Sequence, residues 1–406
     1  MSPAPPPALG SRRPSGHAPL DAWRGVAILA VFAFHAVLEL NLSRPGDPGN
    51  PGWLGALVSA PYAHFLPLHL GAFGVQLFFV ISGYCIHRSV RAWDAVHPGA
   101  TARDRWRSYA QRRFWRIYPL YAVVLLALFA AGASPPRADV ADPATDLLVH
   151  AAMLHTLVPD HINLINPSFW SLAVEAQIYA LYPLVWLGFR RWGAARVLLA
   201  AAALAALWHA GVPHLTRSPW VVNLPWRWGF EWALGAFVAE TLASHRWPRG
   251  RTVAAVATLA TVVLAPLRSP FLYAAVPPIV FALVVAWAAR RSSPPRPWRP
   301  LAALGRVSYA LYLVHQPTLA ALGVFLVDRG VRTVDPLPFA ATAVGALAVA
   351  TAAAVLLERF GRAAQRYGAR LDRSATRERG RKCEDESAAV HPQVPKLPAS
   401  GPRARL

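Results

Sequence analysis

The sequence predicts an all-α integral membrane protein, a bundle of about ten transmembrane helices with both termini in the cytoplasm. Three observations predict it. Of 406 residues, 55% are hydrophobic and only 15% charged, with a mean hydropathy of +0.32, outside the balance of a soluble domain. Apolar runs of spanning or near-spanning length recur along the chain. The charge is also asymmetric: 41 Lys and Arg against 20 Asp and Glu leave a net +21. In a soluble chain that excess would suggest nucleic acid. Here it falls in alternate loops and in the C-terminal tail, as membrane proteins place it on the cytoplasmic side, and no nucleic-acid partner is expected.

The runs lie at 20–40, 70–90, 117–133, 170–189, 195–211, 222–243, 252–266, 271–289, 305–327 and 337–357. The first follows Arg12 and Arg13, a pattern shared with twin-arginine signals. It is longer than a signal's apolar region, holds Arg24 and His35, and precedes many further runs, so it reads as a span. The weakest run, 252–266, covers about 23 Å at 1.5 Å per residue, and it must extend or thin the bilayer. With the N-terminus inside, 33 of the 41 basic residues fall in cytoplasmic segments and six in outer loops, while Arg24 and Arg227 lie within spans. A missed or extra helix would scramble this asymmetry. The loop 134–169 carries Asp139, Asp142, Asp146 and Asp160 against a single Arg and faces outward; its semi-apolar stretch 147–158 suits a re-entrant or interfacial helix. The chain therefore divides into a cytoplasmic tail (1–19), a transmembrane domain (20–360) and a basic, disordered cytoplasmic tail (361–406). Cys85 and Cys383 are the only cysteines, so no disulfide framework is available.

Ionisable groups at membrane depth mark function by default. Arg24 and His35 are 11 residues apart, which puts them on one face of a helix, Arg24 near the cytoplasmic end and His35 in the outer half. Snorkelling to the interface explains Arg24 alone equally well. Glu175, in the fourth span, lies at nearly the depth of His35. A carboxylate beside the imidazole would fix its tautomer and make it a better general base; a structural ion pair is the plainer alternative. Ser308, Tyr312 and His315 form a stripe at i, i+4 and i+7 in the ninth span, suited either to a site or to inter-helix hydrogen bonds. Arg227 and Glu231, at i and i+4, read as an internal ion pair. Arg113 and Arg116, at the entrance to the third span, suit a phosphate-bearing donor, with Trp115 or Tyr118 placed to stack on an adenine; positive-inside anchoring also explains such a cluster. No metal site is expected.

These segments together resemble the acyltransferase-3 family of membrane O-acyltransferases, which acylate O-antigens, exopolysaccharides and macrolides. The resemblance rests on 20–35 with its Arg-x10-His pair, 74–83, 113–119, 170–183, 227–235 and 304–315, six segments in order over about 20–360. Two positions depart from the family pattern: Gln76, where Asp is common, and Ala176 after Glu175, where a second acid is frequent. The resemblance implies transfer of an acyl group, most often acetyl, from cytoplasmic acyl-CoA to a hydroxyl of a glycan or other small-molecule acceptor, in the inner or plasma membrane of a bacterium and against membrane lipid. It makes His35 the general base oriented by Glu175, has Arg24, Arg113, Arg116 and Tyr118 hold the CoA donor, and leaves Trp170, Ser171, Tyr179, Ser308 and His315 as substrate-site candidates. Acyl-CoA is then a substrate, with no permanently bound cofactor. A ten-helix transporter or flippase for a polar or lipid-linked substrate is the rival class; it would more often show two related halves, which this sequence lacks.

Overall fold

A computed structural model describes residues 18–40, 70–132, 142–215, 224–267, 270–329 and 336–390. Among the described residues the chain is helical with no strand: α1 (Ala18–Leu40), α2 (Leu70–Val96), α3 (Ala102–Ala130), α4 (Pro143–Ala151), α5 (Phe169–Trp192), α6 (Ala194–Leu215), α7 (Gly229–Thr241), α8 (Gly250–Leu267), α9 (Pro270–Ala289), α10 (Arg299–Arg306), α11 (Ser308–Asp328) and α12 (Pro336–Val390). A helix lies on each of the ten predicted runs. Seven are long and apolar enough to cross a membrane, namely α1, α2, α3, α5, α6, α11 and α12. The protein is thus a multi-pass membrane protein.

The differences from expectation are local. Among its described residues the sixth run is helical only over Gly229–Thr241, about 20 Å at 1.5 Å per residue, and Leu224–Trp228 before it are not helical. Non-helical backbone at such depth persists only where protein covers it, and Leu224 and Trp228 are buried. In the loop before α5, the apolar stretch is helical only as far as Ala151 and continues in turns. The boundary expected at residue 360 falls inside α12. Residues 361–372 pack on α3, with Tyr367 against Trp115 (ring centroids 5.3 Å apart) and Asp372 accepting from Ser108 Oγ at 3.0 Å. Ala, Arg and Glu dominate the stretch to Val390, and their high helix propensity carries the helix on. The expected N-terminal tail up to residue 17, and 391–406, lie outside the described residues.

In lipid there is no hydrophobic force between helices, so small residues that admit close backbone approach set the packing. The α2–α7 crossing is the clearest case. Gly83 lies against the Trp232 carbonyl and Gly235 against the Val80 carbonyl, where any Cβ would overlap. In the same way Gly25 and Gly305 bring α1 and α10 together at Leu301 and Asp21. α1 also packs along α2 and α11, and α3 along α12. Tyr84, Tyr121, Phe169, Tyr182 and Trp232 fill the centre.

Candidate active site

Helix α1 sets the frame, because its Arg24 and His35 face the same way about 16 Å apart along the axis. At one end Arg24 donates from Nη1 to Asp21 Oδ1 at 2.6 Å and from Nη2 to Cys85 Sγ at 3.2 Å. With 18% of its side chain exposed, Arg24 turns into the bundle. The close approach of Gly305 to the Asp21 carbonyl holds the turn that carries its partner.

At the other end His35 meets His315 of α11. Their rings are edge-to-face with centroids 4.8 Å apart, and His315 Nε2 lies 3.1 Å from His35 Nδ1. The acceptors around them assign the protons. His315 Nδ1 is 2.8 Å from the Tyr312 carbonyl and must donate to it, so His315 Nε2 carries the lone pair. His35 Nδ1 is 3.0 Å from the Val31 carbonyl and carries the proton that faces both acceptors. The lone pair of a neutral His35 therefore falls on Nε2.

Glu175 is not the residue that orients His35. Its Oε1 accepts from Ser82 Oγ at 2.6 Å and from Tyr179 Oη, and Tyr179 Oη also lies 2.9 Å from Ser82 Oγ. The expected pairing is corrected for a simple reason: position along a span sets depth, but which helix stands beside α1 is set by packing, and at His35 that helix is α11. Glu175 instead belongs to a polar step between the histidines and the arginines. Its charge acts on Tyr312 on one side, and on Tyr179, itself within range of Arg113, on the other.

Arg113 and Arg116 approach Arg24 from α3. Arg116 is exposed yet within electrostatic range of Arg24, Arg113, Tyr179 and Cys85, so the three arginines line a cleft open to the outside of the bundle. Among the described residues no carboxylate lies within salt-bridge distance of Arg113 or Arg116, and Arg113 Nε is buried without a partner. Glu358 of α12 is within electrostatic range of Arg116. Of the three guanidiniums only that of Arg24 has a carboxylate within salt-bridge distance among the described residues, Asp21, and the surplus positive charge suits an anion. Tyr118 stacks on Phe114 (5.1 Å between centroids) and Trp115 packs against Tyr367.

The remaining candidates are distributed along this line. Ser171 Oγ lies 2.6 Å from Tyr312 Oη, which itself donates to the Ser168 carbonyl at 3.0 Å. Beyond them Gln316 joins Ser168 Oγ to Glu39, donating to Glu39 Oε1 at 2.9 Å, and Asn166 donates to the Leu313 carbonyl at 3.2 Å. Trp170 lies against Trp228 at 5.1 Å. Ser308 is buried at the start of α11, two turns from His315. Arg227 and Glu231 stay within electrostatic range of each other but do not form a helical i, i+4 contact, because Arg227 precedes the helix that holds Glu231; its guanidinium lies 3.9 Å over the Trp228 ring. Gln76 is buried within hydrogen-bonding reach of Glu231. Its amide can donate to that carboxylate, where an acid would add a second buried negative charge. Ser82, Cys85 and Asp21 were not among the expected site residues, and Tyr312 entered only through its stripe with Ser308 and His315. The signals available for Ser82 were a hydroxyl inside an apolar run and its place in segment 74–83, neither of which gives it a role.

The fold and the polar line through it define a multi-pass membrane protein with an arginine-lined cleft at one end and a histidine pair at the other. A family model for the acyltransferase domain matches residues 18–359, and the chain belongs to the acyltransferase-3 family. It is an acyltransferase, acting on groups other than amino-acyl. A Komagataeibacter xylinus protein named as a membrane-bound transacylase, BcsY, is 27% identical over 337 residues, 76% of this chain and 74% of that protein. The acyltransferase MdmB of Streptomyces mycarofaciens is 29% identical over 193 residues, 46% of this chain and 43% of its own length. No solved structure matches the chain significantly.

Proposed function

We propose that the protein transfers an acyl group, acetyl in the simplest case, from cytoplasmic acyl-CoA to a hydroxyl of a glycan or small-molecule acceptor in a bacterial inner or plasma membrane. One observation carries this reading: an arginine cleft with surplus positive charge and a histidine with an assigned lone pair stand at opposite ends of one polar line. Arg24, Arg113 and Arg116 supply charge-assisted donors for the CoA phosphates. The acceptor hydroxyl gives its proton to His35 Nε2 as its oxygen attacks the acyl carbon; the C–S bond breaks, the departing CoA thiolate takes that proton, and His315 holds the imidazole in the tautomer that can accept it. The acyl names borne by the relatives support the reaction class, and the placement of Arg24, Arg113, Arg116 and His35 along one polar line supports the donor and the base.

The test is His35→Ala, scored as acylated surface glycan or secreted metabolite per unit of inserted protein. Loss of a general base lowers that ratio by about 10²–10⁴-fold. If His35 only packs the bundle, protein and product fall together. Near-normal product per inserted molecule removes the base assignment.

A further inference from the structure

The structure provides two proton acceptors where direct transfer needs one. His35 stands with His315, while Glu175, on a different helix, is hydrogen-bonded to a hydroxyl of the protein itself, Ser82 Oγ at 2.6 Å. We propose that Ser82 is the first acceptor of the acyl group, so that transfer runs through an acyl-serine on α2. This rests on the acyl-CoA reading and adds a covalent step to it.

Three features carry the proposal. A carboxylate within hydrogen-bond distance of a serine hydroxyl is the arrangement of a nucleophile and its base, and Tyr179, which donates to the same Oε1, has its Oη packed 2.9 Å from Ser82 Oγ. Ser82 also lies between the two ends of the site. One turn along α2 in one direction is Cys85, bonded to Arg24 in the cleft; one turn in the other is Phe78, whose ring meets Tyr312 at 6.2 Å, and Tyr312 holds both Ser171 and His315. Finally, the separation of His35 from Glu175 suits a two-stage reaction, each base serving one nucleophile.

The chemistry balances without a further reactant. Ser82 Oγ attacks the thioester carbonyl as Glu175 takes its proton; the new C–O bond replaces the C–S bond, and CoA leaves as the thiolate and takes the proton from Glu175. In the second stage the acceptor hydroxyl loses its proton to His35 and attacks the ester. The C–O bond to Ser82 breaks, and the proton His35 has taken is the one Ser82 regains.

The experiment needs no acceptor. A covalent route makes the purified full-length protein exchange labelled CoA with acetyl-CoA, whereas direct transfer gives no exchange. Wild type should exchange, with one acetyl group on the peptide carrying Ser82 by mass spectrometry. Ser82→Ala should bind acetyl-CoA normally and exchange at background. His35→Ala should load Ser82 and fail to pass the acyl group on. Absence of exchange in wild type that binds acetyl-CoA overturns the covalent step and leaves the acyl-CoA reading standing, as does undiminished exchange in Ser82→Ala. Label found on Cys85, with exchange lost in Cys85→Ser instead, overturns the assignment to Ser82. Failure of wild type to bind acetyl-CoA at all overturns the donor reading, and this proposal with it.

Discussion

At the scale of single residues, the two ends of the site predict separable effects. Arg113→Ala with Arg116→Ala removes two charge-assisted contacts worth about 1.5–3 kcal/mol each. Acetyl-CoA binding should weaken by about 10²–10⁴-fold in titration calorimetry, and unchanged affinity would reassign the pair to membrane anchoring. His315 acts on the other end through His35. His315→Phe keeps a ring in the same space and removes the acceptor that faces His35 Nδ1, so His35 is freer to take the wrong tautomer. The turnover number should fall about 10- to 100-fold, the equivalent of a lost bond of about 1–3 kcal/mol, with KM for the donor unchanged. His315→Gln, whose amide oxygen can accept the same proton, should restore part of the rate. A purely structural His315 predicts equal loss with Phe and Gln, and loss of protein with both.

At the scale of elements, the glycine crossings and the loop before α5 determine whether the site residues meet. Gly235→Ala puts a methyl group onto the Val80 carbonyl, forcing α7 off α2, the helix that carries Ser82. Overpacking costs typically about 1–3 kcal/mol, and the variant should lose thermal stability in detergent by more than an alanine placed at Gly345, where nothing lies within 4 Å. The loop adds a pH dependence. His150 and His155 are fully buried and stacked, with ring centroids 4.0 Å apart. Burial, and then the charge each neighbouring imidazole would carry, hold His155 well below the ordinary histidine range, and burial lowers His150 as well. Asp146, paired with His161 at 2.5 Å, and Tyr121, which donates to the His150 carbonyl, face them. The folded loop therefore resists protons that the open loop accepts. Its stability is complete above the unfolded value of about 6.5 and falls as pH drops below it. Hydrogen exchange in residues 150–168, corrected for intrinsic rate, should be faster at pH 5 than at pH 7.5, and His155→Phe should flatten the difference. A pH-independent profile in the wild type would count against this account.

At the scale of the whole molecule, the arginines and the histidine pair stand at the two ends of one bundle, and the proposed mechanism depends on which end faces the cytoplasm. The basic-residue distribution predicts that the end bearing Arg113 and Arg116 does. Single cysteines placed at Gly99, Leu157 and Ser400, in a background lacking Cys85 and Cys383, test this with a membrane-impermeant thiol reagent. Only Leu157→Cys should label from outside in intact cells. External labelling at position 99 would overturn the ten-span topology.

What the sequence determined by itself is what one dimension carries. Apolar runs of bilayer length mark where helices lie, since backbone in lipid must bond to itself. The 11-residue spacing puts Arg24 and His35 on one face, and charged residues inside spans mark where to look for chemistry. The tertiary structure alone decided which helices stand side by side. Depth along a span placed Glu175 level with His35, but packing gave His35 to His315 and Glu175 to Ser82 and Tyr179. Close contacts of glycine with backbone share in that choice: Gly323 of α11 meets the Glu39 carbonyl of α1, beside the histidine pair, while Gly83 and Gly235 join α2 to α7 and Gly25 and Gly305 join α1 to α10. Such contacts leave no trace in hydropathy, because a glycine reads the same in a crossing as in a lipid-facing turn. For the same reason Ser82 was not legible: a hydroxyl in an apolar run is a packing residue or a reacting group according to what stands opposite it.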